Sequence, residues 1–256
     1  SGLTTLSNGV MRLGVAGALP SGTGKGNLTM NPTTGLTAVL DLNGFNQTLN
    51  GLSSSGVGTS RIDNTAVGAA TLTIGAADGG GVFAGVVQNT GGALSLAKTG
   101  AGVIALSGAN TYSGRTTVNA GVLLFAKASA LYNGSSAAWT AENLLINSDG
   151  TLALNVGGAG EFTLADVNLI AALGTADGGF QSGSFLGLDT TNAGGSFTYG
   201  SLLADTHSGA NSLGLMKLGT GTLILGNSNT YSGGTVVTGG VLSISTNASL
   251  GAAGGA

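Results

Sequence analysis

The chain has 256 residues, 50 of them glycine, and its 7 Lys+Arg and 10 Asp+Glu leave only 7% of positions charged and a net charge of -3. Apolar residues still reach 42%, which excludes a disordered chain, and 2 prolines without a glycine in every third place exclude collagen. So few cations exclude nucleic acid as a partner, because phosphate binding needs clustered Lys and Arg, and zero cysteines exclude disulfides, thiolate metal sites and Cys nucleophiles.

At the start, Ser1-Gly2-Leu3-Thr4 carries no initiator Met, basic region or apolar leader, so the sequence reads as a mature segment or a fragment of a longer chain. Gly22-Thr23-Gly24-Lys25-Gly26 approaches a phosphate loop but fails: residue 19 is leucine, and no Ser or Thr follows Lys25. The acids at Asp63-Asn64, Asp78-Gly79, Asp149-Gly150 and Asp177-Gly178 sit beside turn formers and read as turn residues.

An internal repeat organises the rest. Residues 94–131 align without a gap on residues 213–250 at a constant offset of 119, with 17 identities in 38 positions, among them Lys98/Lys217, Gly121/Gly240 and the shared Asn-Thr-Tyr-Ser-Gly run. Matched glycines, turns and apolar positions imply a shared backbone path. Within one copy, Val103 to Leu106 reads as a strand, Ser107 to Gly114 as turns, Thr116 to Val118 as a second strand and Val122 to Phe125 as a third, around a corner at Asn119-Ala120-Gly121. That corner could close a hairpin. Short β-branched strands at regular spacing favour instead a chain that turns always one way, in stacked parallel coils of about 20 to 25 residues. Such stacking accounts for the missing charge, because inward side chains are sealed and strands pair above and below.

Between the copies the pattern breaks near 166–173. Asp166 is placed to cap a helix, Val167, Ile170 and Leu173 recur at helical spacing, and Gly174 is placed to end it. A lid or bulge packed on the coil is the expected role. Further on, the stretch from Leu218 to Ala256 is uncharged throughout but too rich in Gly, Ser, Thr and Asn to enter a membrane.

The run from Lys98, K-T-G-A-G-V-I-A-L-S-G-A-N-T-Y-S-G-R-T-T-V-N-A-G-V-L, and its copy from Lys217 resemble the passenger-associated transport repeat, also called the autotransporter-associated β-strand repeat. Leu40 to Leu49, Thr71 to Gly75 and Val82 to Val87 resemble segments that precede this repeat. Gly234 stands where the first copy has Arg115, so the arginine is not a structural requirement. The resemblance implies an all-β, right-handed parallel β-helix (β-solenoid), here with a short helical insertion near 166–173. It also implies a place at the bacterial cell surface or outside the cell. Residues 1–256 are read as one β-helical segment of a longer chain.

Candidate chemistry is sparse. Glu142 and Glu161, the only glutamates, are 19 apart, and a polysaccharide lyase or glycosidase built on them is the alternative to a structural or adhesive role. His207, the sole histidine, is flanked by Asp205 and Ser208 but reads as an exposed loop residue, and no G-x-S-x-G elbow occurs. The Asp-Gly-Gly runs at 78–80 and 177–179 read as turns rather than calcium sites. Tyr112 and Tyr231 are expected to anchor turns with the hydroxyl in water, and Lys98 and Lys217 to donate to turn carbonyls. Trp139, outside the repeats, is the aromatic singled out for carbohydrate or receptor contact. No catalytic, cofactor or metal residue is expected. The expected partners are a host or surface glycan or protein receptor and other copies of the chain, stacked through coil ends whose last stretch, from Leu218, lacks charge and proline.

Overall fold

The computed structural model describes residues 2–252, and within them the chain is a succession of short strands with one α-helix. It divides into two compact units, Ser1–Leu123 with Ser129–Ser135, and Leu124–Ala128 with Ser136–Ala256.

In the first unit the strands are β1 (Leu3–Leu6), β2 (Gly9–Arg12), β3 (Asn27–Met30), β4 (Thr37–Asp41), β5 (Gln47–Thr48), β6 (Leu52–Ser54), β7 (Thr59–Asp63), β8 (Ala70–Ile74), β9 (Gly81–Phe83), β10 (Val86–Val87), β11 (Leu94–Lys98), β12 (Val103–Leu106) and β13 (Thr116–Val118). Strand β14 (Gly121–Phe125) begins there. Every pairing is parallel and skips the next strand in sequence: β1 with β3 and β3 with β6, β2 with β4, β4 with β7 and β7 with β10, β5 with β8, β8 with β11 and β11 with β13, β9 with β12. The chain therefore coils. Because β13 pairs with β11, the corner at Asn119-Ala120-Gly121 turns a coil and closes no hairpin. Gly121 and its counterpart Gly240 make that corner with φ of 65° and 61°, a left-handed conformation in which a Cβ is strained.

Alternation along the strands decides what is inside. In β8 and β11 the inward residues Ala70, Leu72 and Ile74 stack on Leu94, Leu96 and Lys98, while Thr71, Thr73, Ser95 and Ala97 are half-exposed. Each fully buried leucine in such a stack stabilises by about 2 kcal/mol. The coils are unequal in length: the step from Leu28 to its partner Leu52 is longer than the step from Leu96 to its partner Thr116.

The second unit repeats the design with β15 (Leu144–Ile146), β16 (Gly150–Asn155), α1 (Leu164–Ala171), β17 (Gly179–Phe180), β18 (Ser184–Asp189), β19 (Ser196–Tyr199), β20 (Leu213–Leu218), β21 (Thr222–Leu225), β22 (Thr235–Val237) and β23 (Val241–Ile244). Parallel ladders join β15 to β17, run from β16 through β18 and β20 to β22, and run from β19 through β21 to β23. The step from Leu145 to its partner Gly179 is longer still, because α1 is inserted into that coil.

The helix falls where the sequence places one, but it starts earlier. Its N-cap is Thr163, whose hydroxyl oxygen accepts from Asp166 N–H while the Asp166 carboxylate accepts from Thr163 N–H at 2.9 Å, a reciprocal capping box. Asp166 is thus the third helical residue and not the cap. Gly174 does not close the helix, whose C-cap is Ala172, but lies in an antiparallel bridge with Gly179. Val167, Ile170 and Ala171 are the face buried against the coil.

Candidate functional site

The repeat positions meet inside the coils. Lys98 ends β11 between Ile74 below and Val118 above, so its stem continues an aliphatic stack and its amine reaches the corner. Nζ donates to the carbonyls of Thr99 (2.7 Å), Gly100 (2.7 Å) and, one coil on, Ala120 (3.1 Å). Lys217 does the same with Leu218, Gly219 and Gly239, as the sequence leads one to expect. Both lysines are fully buried. Burial pushes the Lys98 amine down to about 8, opposed by Asp78, and pushes Lys217 down, opposed by Asp189.

Asn110 and Asn229 are the functional residues of the repeat that sequence reasoning missed. The Asn110 side chain accepts from Val87 N–H and donates to Ala130 C=O, and Asn229 accepts from Leu203 N–H and donates to Ser249 C=O. Their identity in both copies is the signal that could have found them.

The tyrosines correct an expectation. Tyr112 and Tyr231 are 2% and 1% exposed, and their hydroxyls are not in water but bonded to Thr116 and Thr235, four residues on. The reason is that each ring points into the coil, where a hydroxyl must find a protein partner. Tyr132 packs against Tyr112 with the rings tilted by 49° and centroids 4.9 Å apart, donates to Gly114 C=O and accepts from Thr116 N–H. Burial pushes the phenols of Tyr132 and Tyr199 up to about 12 and raises Tyr112 and Tyr231 as well. The folded chain therefore keeps protons that an unfolded chain releases above about pH 10, and stability falls as pH rises from there. The loss should reach about 2 kcal/mol for each of Tyr132 and Tyr199 by pH 12. Phenolate absorbance should then appear together with the loss of β-sheet circular dichroism and not before it.

Several acids do more than sit in solvated turns. Asp41, fully buried at the end of β4, accepts from Arg12 Nε (2.7 Å), Asn43 N–H, Thr65 N–H and the Thr65 hydroxyl. Burial raises its carboxyl, but the bonds from Thr65, Arg12 and Asn43 outweigh it and hold the group below the usual carboxylate range. Asp63, opposite Asp41, accepts from Gln88 Nε2 and Thr90 N–H. Asp78 accepts from Ala101 N–H at 2.6 Å. These carboxylates tie each coil to the next.

The candidate catalytic residues lie in different surroundings. Glu161 is 8% exposed and bound to Gly158 N–H and to Asn192 and Asn155 side chains, whereas Glu142 is exposed. Asp205 is held by Leu213 N–H, Ser232 N–H and the Ser232 hydroxyl, and His207 stands exposed in a short loop turn. Trp139 is no surface platform: it is 2% exposed and packs on Phe162 at 5.6 Å. Within the second unit a cavity of about 270 Å³ opens between α1 and the 199–208 segment, lined among others by Asn168, Tyr199, Ser201, Asp205 and His207. No helix among the described residues is long and apolar enough to cross a membrane.

Parallel coils whose corners are locked by the same Lys, Asn and Tyr at two places define a repeat-built parallel β-helix. Residues 96–125 and 215–244 match the model of the passenger-associated transport repeat, so the chain belongs among autotransporter passengers, which stand at the cell surface or outside the cell. It is similar to the adhesin BmaC autotransporter of Brucella suis biovar 1 (strain 1330), 33% identical over 215 aligned residues that cover 78% of this chain. The chain spans about 5% of the length of that relative. No solved structure matches it.

Proposed function

We propose that this segment is a non-enzymatic structural and adhesive part of its passenger, stiffened by coil-to-coil bonds and binding a host or surface glycan or protein receptor through its outer faces. One observation carries the reading: Lys98, Asp41, Asp63, Asp205 and Glu161 spend their charged groups on bonds to neighbouring segments of the chain. What faces outward on β8, β11 and β13 is small, as in Thr73, Ala97 and Thr117. The relative's name, an adhesin, supports the same role.

Self-association through coil ends is part of the proposal. A stack of parallel coils presents open strand edges wherever it stops. Such edges template further pairing.

The test coats beads with the purified segment and counts those retained by cultured mammalian cells and by immobilised bacterial polysaccharides, against albumin-coated beads. Retention several-fold above the control is the expected result, together with concentration-dependent oligomers in sedimentation. Retention equal to the control, or polysaccharide cleavage abolished by Glu142→Gln or Glu161→Gln, would overturn the reading.

A further inference from the structure

The cavity beside α1 has a composition that selects among ligands. At about 270 Å³ it is too roomy for a single ion and near the lower bound of small-molecule sites. One of its lining residues keeps a buried polar atom unmet by the chain. Tyr199 is 2% exposed and lines the cavity, so its phenol is one of the polar groups a ligand there would meet. Asn168 donates through Nδ2 to the Ser201 hydroxyl at 2.8 Å, and its Oδ1 is buried without a partner. Turning that amide over only moves the unmet bond from oxygen to nitrogen. A buried polar group without a bond is costly, and such groups mark places where something else supplies it.

The remaining lining decides the class of ligand. Neither Lys nor Arg is among the lining residues, and the Asp205 carboxylate stands at the wall, so a phosphate or carboxylate would meet repulsion and no counter-charge. Three donors from Leu213 and Ser232 already occupy Asp205, which leaves little of it for a metal ion. Ser201, Tyr199 and Asn168 offer neutral donors and acceptors, and Ala171, Ala172 and Leu203 offer methyl surface. Alternating hydroxyls and C–H faces on one small ring fit that mixture.

We propose that the cavity between α1 and the 199–208 segment binds one ring of a neutral glycan. The site deepens the adhesive reading and rests on it. It gives the inserted helix a use: α1 lies on one coil and the 199–208 segment follows β19 on the next, so the helix supplies the second wall that a bare coil lacks.

The test titrates the ¹⁵N-labelled segment with the methyl glycosides of glucose, galactose, mannose and N-acetylglucosamine. At least one should bind with a dissociation constant of about 1 mM, shifting the amide signals of residues 199–208 and the His207 ring. Tyr199→Phe should weaken it about tenfold, and Ala172→Trp, which fills the mouth from an exposed helix end, should abolish it while the melting temperature is kept. Silence toward all four glycosides, shifts that survive Ala172→Trp, or shifts produced there by inorganic phosphate or calcium alone would overturn the site. Beads that adhere equally with and without Ala172→Trp leave the adhesive reading standing and remove the cavity from it. Glycosides that bind while beads never adhere keep the cavity and remove adhesion.

Discussion

Replacing Asn110 with leucine should lower the unfolding free energy of the segment by about 3 kcal/mol, at the cost of roughly 1 to 3 kcal/mol for each buried polar group left unpaired. Asn110 is fully buried, accepts from Val87 N–H at 2.8 Å and donates to Ala130 C=O at 2.7 Å, 23 residues back and 20 residues on. One amide thus joins its own coil to a coil on either side. Leucine keeps its branched shape but strands both the Val87 donor and the Ala130 acceptor.

Asn110→Asp separates this role from packing. A neutral aspartic acid can still accept from Val87 and donate its proton to Ala130, whereas the carboxylate faces that carbonyl with no donor. The folded pKa is therefore raised above the unfolded value of about 3.9. A group with a raised folded pKa contributes below the unfolded pKa and loses its contribution as pH rises through the folded one. Relative to the native chain, the aspartate variant should be close to native at about pH 3.5 and clearly weaker at pH 7, by urea unfolding at both. Equal loss at the two pH values would show that Asn110 acts by shape alone. Asn229, bonded to Leu203 and Ser249, should give the same pattern in the second copy.

What could be read from the sequence was whatever recurs at a fixed offset or alternates locally. The strands of the repeat, their parallel coiling and the lysines at turn carbonyls all have neighbours within one copy, and the second copy repeats them. The helix was readable from Val167 and Ile170. Its start was misplaced because Thr163-x-x-Asp166 is itself a capping pattern, with Thr163 as the cap. The contacts that escaped cross from coil to coil. Asp41 meets Thr65 and Asp63 meets Thr90 in neighbouring coils, and coils of unequal length give no single period in which to look for such partners. Trp139 and the tyrosine hydroxyls failed for a related reason: whether an aromatic next to turn residues points into the coil or out of it depends on neighbours in other coils. The cavity beside α1 was illegible for the same cause, since its two walls, Asn168 and Ser201, are far apart in the chain.

Gly108→Ala should be a severely damaging single methyl, with a loss of about 3 kcal/mol or more and insoluble expression as the extreme. From sequence, Gly108 and its counterpart Asn227 look like two residues tolerant of turn geometry, but Gly108 does not adopt a positive φ and alanine could follow its backbone. The constraint is space. A Cβ there would penetrate the carbonyl of Gly85 and crowd that of Ala84, and backbone, unlike a side-chain end, cannot rotate away. Relief would require the two coils to part at that corner, where Ser107 N–H is bonded to Phe83 C=O and Asn110 to Val87. The second copy escapes because Asn227 is exposed and only reaches across to Gly200 C=O at 2.8 Å. Asn227→Ala should therefore cost no more than about 1 kcal/mol, the worth of one exposed hydrogen bond. Urea unfolding and limited proteolysis of the two variants side by side would read the contrast, and equal small losses at both positions would show that the coils in the first copy can separate without penalty. The two copies thus share a backbone path yet differ in how closely the coils approach at this corner, which is why an identical offset in sequence does not carry an identical tolerance to substitution.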